Sequence, residues 1–248
     1  NSFWLSLLAS FSCAAVLGVI VEKTIIRKLY NRDHLDQVLV TFALILFFSE
    51  LIRWIFGAFP LYLDVPKILN GSIEIFGGIY YSKYRLFIIF VGLIIATFLF
   101  FLIGKTNLGI QIRAGQYDRE MISALGVNIS KLYTLLFGIG AALAGLAGAL
   151  IGTIQSVEVG MGEPILILAF VIIVIGGIGS IKGALIASLL VGLVDTLGRF
   201  LIPWVLQTIT NPSDAMSIGS AIGSMLIYIL MAIILILRPT GLYGKKLS

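Results

Sequence analysis

Charged residues and apolar residues segregate along this chain with few exceptions. Seven apolar runs stand out, roughly 3–21, 38–60, 86–103, 132–155, 164–181, 184–205 and 217–237. Every charged residue lies in the gaps between them except Glu50 and Arg53 in the second run and Asp195 and Arg199 in the sixth. Runs near 20 residues with almost no charge match helices that cross a bilayer, whose apolar core is about 30 Å thick. Barrel strands would instead alternate apolar and polar over roughly ten residues. The pattern predicts an all-α, polytopic transmembrane helical bundle of about seven spans, with residues 1–248 forming one membrane domain.

Composition supports this class. Only 12% of the 248 residues are charged and 59% are hydrophobic, with a mean hydropathy of +1.09. Soluble domains carry about 25% charged residues. The formal charge of +5 comes from Lys and Arg scattered through short connections, without interleaved aromatics, so it does not indicate a nucleic-acid partner. It orients the spans instead. Lys23, Arg27, Lys28, Arg32, Lys105, Arg113, Arg119, Lys131, Lys182, Arg238, Lys245 and Lys246 fall on one side, against Lys67, Lys83 and Arg85 on the other. Twelve against three makes the first side cytoplasmic, and the C-terminus with it. Asn1 then faces outward at the head of an apolar run, and further spans are expected upstream.

Four features inside the membrane invite a role. In "FGIGAALAGLAGALIG", Gly140, Ala144, Gly148 and Gly152 recur every four residues, a spacing that lets helix backbones approach closely. The fifth run starts after Glu163-Pro164 and meets "GGIGSIKG", where two readings stay open. Either Gly176, Gly177, Gly179 and Gly183 break the helix within the membrane, as in transporters, or the helix continues to Ile181 and turns at Lys182-Gly183. Glu50 and Arg53 are three apart, and Asp195 and Arg199 four apart, each acid first, so each pair shares a helical face. Self-neutralised packing is one reading of them; a pathway or gating role, with Glu163 as a further candidate, is the other.

Other signals lead nowhere. "GKT" at 104–106 lacks the phosphate-loop glycine, since Leu99 occupies that position, and "GGIG" sits in no strand-to-helix unit. Cys13 and His34 are single residues of their kind, giving no metal cluster and no disulfide framework. His34 reads as a solvated loop residue. The sequon Asn70-Gly71-Ser72 falls on the outer side.

Most unusual is the polar stretch "GQYDREMISALGVNISK" at 115–131, held between two apolar spans. It reads as a helix over 116–125 with Met121, Ile122 and Leu125 on one side, stopped by Gly126. Asn128 or Ser130 would then cap the following span. A short helix of this kind can lie among lipid headgroups or dock in a protein groove. Its mixed-charge face, with Asp118 and Glu120 beside Arg119, leans towards the groove.

The run "RAGQYDREMISALGVNISKLYTLLFGIGAALAGLAGAL", then "GMGEPILILAFVIIVIGGIGSIKGALIASLLVGLVDTLGRF" and the ending "LRPTGLYG", resembles the permeases of ABC importers for branched-chain amino acids. The likeness extends back to about residue 38 through "VLVTFALILFFSELIRWIFG". It implies a bacterial inner-membrane translocation subunit rather than an enzyme, moving leucine-type amino acids, urea, short amides or similar neutral or zwitterionic solutes. It also implies two cytoplasmic ATP-binding subunits that use ATP and Mg, a second related permease, and a periplasmic solute-binding protein. Within the cytoplasmic segment 104–131, the family's coupling motif falls on Asp118, Ala124, Gly126 and Val127, with Arg119, Met121, Ile122 and Leu125 as neighbours. A self-contained secondary transporter or channel is the alternative; it would need ionisable relays beyond Glu50/Arg53 and Asp195/Arg199. A membrane scaffold would not need glycine-rich spans.

Overall fold

A computed structural model describes residues 2–244 apart from Asn31, Gly77, Ile178 and Thr210. The side chains of His34, Ile75, Phe76, Ile79, Gln116, Tyr117 and Ile181 also lie outside the description, as do Lys245 and Lys246, so the readings of His34 and of the terminal lysines are untouched by it. The chain forms two compact units, residues 1–162 and 163–248. Among the described residues, six helices are long and apolar enough to cross a membrane, and a seventh apolar helix is shorter.

In the first unit, α1 (Ser2–Val21), a π-turn (Glu22–Ile26) and α2 (Arg27–Leu29) run as one rod. The gap read from sequence at 22–37 is therefore helical in its first half. The Gln37 amide closes the turn that follows, donating to the carbonyls of Leu29 and Arg32. Then come α3 (His34–Phe56), α4 (Lys83–Lys105), α5 (Asn107–Tyr117), α6 (Arg119–Ala124) and α7 (Ile129–Ile151). The connection before α4 holds a hairpin, β1 (Ser72–Phe76) antiparallel to β2 (Ile79–Ser82), which an all-helical reading does not anticipate. A two-strand bridge, Leu61 with Val157, ties that connection to the chain after α7.

Small residues make the α1–α7 contact. A Cβ on Gly145 would overlap the Ala14 methyl and one on Gly18 would overlap Ala141, while one on Gly138 would sit 2.9 Å from Val19 Cγ2. The packing face is thus Gly138, Ala141 and Gly145. It is not the stripe Gly140, Ala144, Gly148, Gly152: a Cβ at Gly140 would meet nothing within 4 Å, and Gly152 instead faces Val157. Several small-residue registers coexist in this run, and sequence spacing alone does not select among them. Tyr84 at the start of α4 is buried and donates to the Leu150 carbonyl at 2.9 Å, pinning α4 to the end of α7.

The second unit settles the fifth run. Helix α8 (Gly162–Gly176) has fifteen residues, about 22 Å at 1.5 Å per residue, short of a full apolar core. It stops where Gly177 and Gly179 adopt φ of 96° and 84°, a region nearly reserved for glycine. Ser180 then caps α9 (Ile181–Leu206) by accepting from the Gly183 amide at 3.1 Å. Lys182 and Gly183 therefore lie in the first turn of a new helix, and the reading with a continuous helix to Ile181 and a turn at Lys182-Gly183 is overturned. Helix α10 (Pro212–Leu237) packs along α9, and its Gly219 and Gly223 approach Pro203 and Arg199 too closely for a side chain. The core here is Val171, Ile175, Ala187, Val191 and Ile227.

Candidate functional site

The polar stretch resolves into two short helices. Asp118 has an extended backbone, φ −150° and ψ 106°, which ends α5; its carboxylate then accepts from the Met121 amide at 3.0 Å and starts α6. The expected single helix over 116–125 is therefore broken at Asp118. A residue with an acceptor two atoms from its backbone is suited to that junction, since it satisfies an amide no helical carbonyl can reach.

The far end closes by a Schellman arrangement. Gly126, at φ 84°, donates to the Ser123 carbonyl at 3.0 Å, and Val127 donates to the Ile122 carbonyl at 3.3 Å. Asn128 follows at once, accepting from the Lys131 amide at 3.0 Å to cap α7. So Asn128, rather than Ser130, is the cap, and only Leu125 to Asn128 separate α6 from α7. Gly126, Val127 and Asn128 form a short hydrogen-bonded link between the two helices.

The faces of α6 divide clearly. Ile122 is 7% exposed and anchors the helix, whereas Met121 and Leu125 stand 62% and 76% open. Asp118, Arg119, Glu120 and Ala124 are exposed as well. The Arg119 guanidinium lies 5.3 Å from the Tyr133 ring centre on α7, a cation–π contact that adds a second tether. Tyr133 in turn meets Tyr30 edge-on, 5.1 Å between centroids.

Next to this tether is a feature the sequence did not single out. Glu22, in the π-turn, is the fully buried acid among the described residues. Arg27 reaches it with two donors, at 3.0 and 3.3 Å, and Thr134 of α7 donates to it at 2.8 Å. Arg27 also donates to Thr134 at 2.6 Å. The π-turn makes this possible: Arg27 N–H bonds to the Glu22 carbonyl five residues back, bringing a pair that an α-helix would splay onto one side. Sequence carries one signal for it, an acid directly at the end of an apolar run.

The other intramembrane charges pair locally. Arg53 donates to Glu50 at 2.9 Å and Arg199 to Asp195 at 2.7 Å. Glu50 and Arg53 lie in the first unit and Asp195 and Arg199 in the second, and each pair remains partly open to its surroundings. Glu163 stands exposed in the first turn of α8.

Gly176, Gly177 and Gly179 sit at the break after α8. A Cβ at Gly183 would overlap the Gly176 carbonyl oxygen, so glycine on both sides lets α8 and α9 touch backbone to backbone. The tail after α10 folds onto this break. Leu242 donates to the Ile175 carbonyl at 2.8 Å and Tyr243 to Gly176 at 3.1 Å, serving two carbonyls at the end of α8. Gly241, at φ 77°, packs on Gly177 with no space for a side chain. The "GGIG" and "TGLYG" motifs are two halves of one joint. Among the described residues, no group of His, Cys, Asp and Glu is arranged to hold a metal ion.

Comparison with known proteins bears on the whole arrangement. The profile of the family described as branched-chain amino acid transport system, permease component, matches residues 1–235. The high-affinity branched-chain amino acid transport system permease protein BraD of Pseudomonas aeruginosa is 28% identical over 99% of this chain and 77% of its own length. LivH of Escherichia coli, carrying the same description, is 28% identical over 98% of this chain and 76% of its own. A probable branched-chain amino acid transport permease protein LivH of Methanocaldococcus jannaschii is 26% identical over 99% and 76%. No solved structure matches the chain.

Proposed function

The chain belongs to the family of branched-chain amino acid transport system permease components, and on that premise we propose that it is the membrane-spanning subunit of an ATP-driven importer. It carries leucine-type amino acids, or a similar small neutral or zwitterionic solute such as urea or a short amide, from periplasm to cytoplasm. The chain itself hydrolyses nothing. Two ATP-binding subunits, using ATP and Mg, supply the work; a related second permease completes the pathway and a periplasmic solute-binding protein delivers the cargo. The Lys and Arg distribution supports a cytoplasmic side for the segment 104–131 and the C-terminus.

The observation that carries this reading is α6. Six residues cannot form a stable helix in water alone, yet α6 is capped at both ends and anchored by Ile122, and it holds Met121 and Leu125 outward. Exposed apolar residues on a rigid mount are what a groove on a soluble subunit grips. When ATP draws two such subunits together, a displaced α6 pushes on Gly126–Asn128, and α7 moves with it because α7 begins at the next residue. The small-residue contact then passes the motion from α7 to α1.

The full-length tagged protein, copurified from its native membrane in mild detergent, tests this directly by mass spectrometry of its partners. Two ATP-binding subunits and a second permease are expected. A lone chain or self-oligomer that persists under crosslinking would overturn the importer and favour a self-contained transporter.

A further inference from the structure

An open groove of about 580 Å³ runs between the N-terminal rod and α7. On the rod its lining recurs every four residues from Phe11 to Arg27, and on α7 it runs from Lys131 to Ala142. From Phe11 to Lys23 the rod rises about 18 Å at 1.5 Å per residue, roughly the depth of one leaflet of a 30 Å apolar core.

The two ends of the groove differ in character. Among the described residues its polar lining is Lys23, Arg27, Lys131 and Thr134, gathered at the end for which the Lys and Arg count supports a cytoplasmic side. Beyond them the lining is apolar, with Gly138 and Ala142 buried and Phe11 and Leu135 open. Charge at the polar end does not balance. Glu22 is matched by Arg27, so Lys23 and Lys131 are in excess, and among the described residues neither makes a salt bridge. Glu22 and Thr134 hold the Arg27 guanidinium through Nε and Nη2. That grip keeps it from turning away to water and leaves Nη1 without a hydrogen bond among the described residues.

We propose that this groove is a site for an anionic phospholipid of the inner leaflet. Its phosphodiester lies among Lys23, Lys131 and Arg27 Nη1, and one acyl chain lies along the apolar length towards Phe11. Basic pockets between spans on the cytoplasmic side take headgroups of this kind. A zwitterionic lipid brings its own cation to an end that already has two in excess. A protein helix laid in the groove would bury two ammonium groups without an anion, which is unfavourable unless that helix supplies acids. The bound lipid bridges the rod and α7 beside the Gly126–Asn128 link, so it stabilises the folded chain by mass action. The site is independent of the solute transported.

The test uses the full-length protein with the subunits that copurify with it, stripped of lipid in mild detergent. Native mass spectrometry counts bound lipid, and a melting curve is recorded, as phosphatidylglycerol, phosphatidylcholine or inorganic phosphate is added. Phosphatidylglycerol should bind at least tenfold tighter than phosphatidylcholine and raise the melting temperature. Inorganic phosphate at the same concentration should do neither, because it has no chain to fill the groove. Lys23→Gln combined with Lys131→Gln leaves the Glu22–Arg27 pair in place and should melt as the parent does without lipid. Each lysine contributes about fivefold towards an anionic headgroup, so the double variant should bind the two lipids within about twofold of each other. Equal affinity of the parent for both lipids, stabilisation by phosphate alone, or a preference that survives the double variant overturns the site. A benzophenone side chain placed at Leu135 identifies the occupant in native membranes. An adduct of phospholipid mass supports the site, and a crosslink to a polypeptide overturns it.

Discussion

At the scale of single residues, the polar stretch owes its shape to a few side chains with separate tasks. Asp118 is a cap whose acceptor starts α6, and Gly126 is a stop that needs a positive φ and a free N–H at once. Gly126→Pro removes both, because proline fixes φ near −65° and has no donor. Asp118→Lys removes the cap and reverses the charge at a helix N-terminus. In the proposed importer assembly, both should leave ATP hydrolysis running while solute uptake falls at least tenfold; normal uptake by either would show that α6 does not couple the two. Asp118→Asn, which keeps the cap, should retain most uptake.

Glu22 makes a different kind of prediction. Removing one partner of a buried ion pair costs about 3–5 kcal/mol because the other charge is left behind, and the low end applies since Arg27 is 37% open. Glu22→Ala should lower the melting temperature of the detergent-solubilised protein by several degrees. Glu22→Gln combined with Arg27→Gln should recover much of that loss, since neither charge remains. An unchanged melting temperature in Glu22→Ala would mean that the pair does not hold α1 to α7.

At the scale of elements, the second unit depends on a joint rather than on helix length. Fifteen residues of α8 end in carbonyls that α9 cannot serve, and the tail Leu242–Tyr243 serves two of them. A chain ending at Arg238 leaves those acceptors without their donors, at about 1–3 kcal/mol each where water is excluded. A thiol probe placed at Ile175→Cys should then react, whereas the intact chain, in which Ile175 is fully buried and Leu242 packs against it, protects it. Gly183→Val should do the same by another route, since its side chain has no space beside the Gly176 carbonyl.

At the scale of the whole molecule, much of the apolar surface is still open. Helix α3 shows Leu35, Phe42, Phe47 and Trp54 to its surroundings, and α4 shows Phe90, Ile94 and Phe98. Lipid satisfies such surface as well as protein does, so burial alone does not drive these helices together. Partner subunits that bind only the folded chain stabilise it by mass action. The protein coexpressed with the proposed ATP-binding subunits and second permease should therefore melt at a higher temperature than the isolated chain. Equal melting temperatures would argue against a stable complex.

Sequence by itself determined the class of fold, since runs of 20 apolar residues have one stable form in a bilayer. It also determined the stop at Gly126, because caps and stops are local chemistry. Tertiary structure decided the rest. Two of the carbonyls freed where "GGIG" breaks the helix are served by the tail, some sixty residues away, through Leu242 and Tyr243. Which small residues of α7 form a contact depended on the register of α1, which Gly138, Ala141 and Gly145 meet. Glu22 reads as a loop residue until a π-turn and Thr134 of α7 bury it. In each case the deciding partner is distant in sequence, and local spacing carries no record of it.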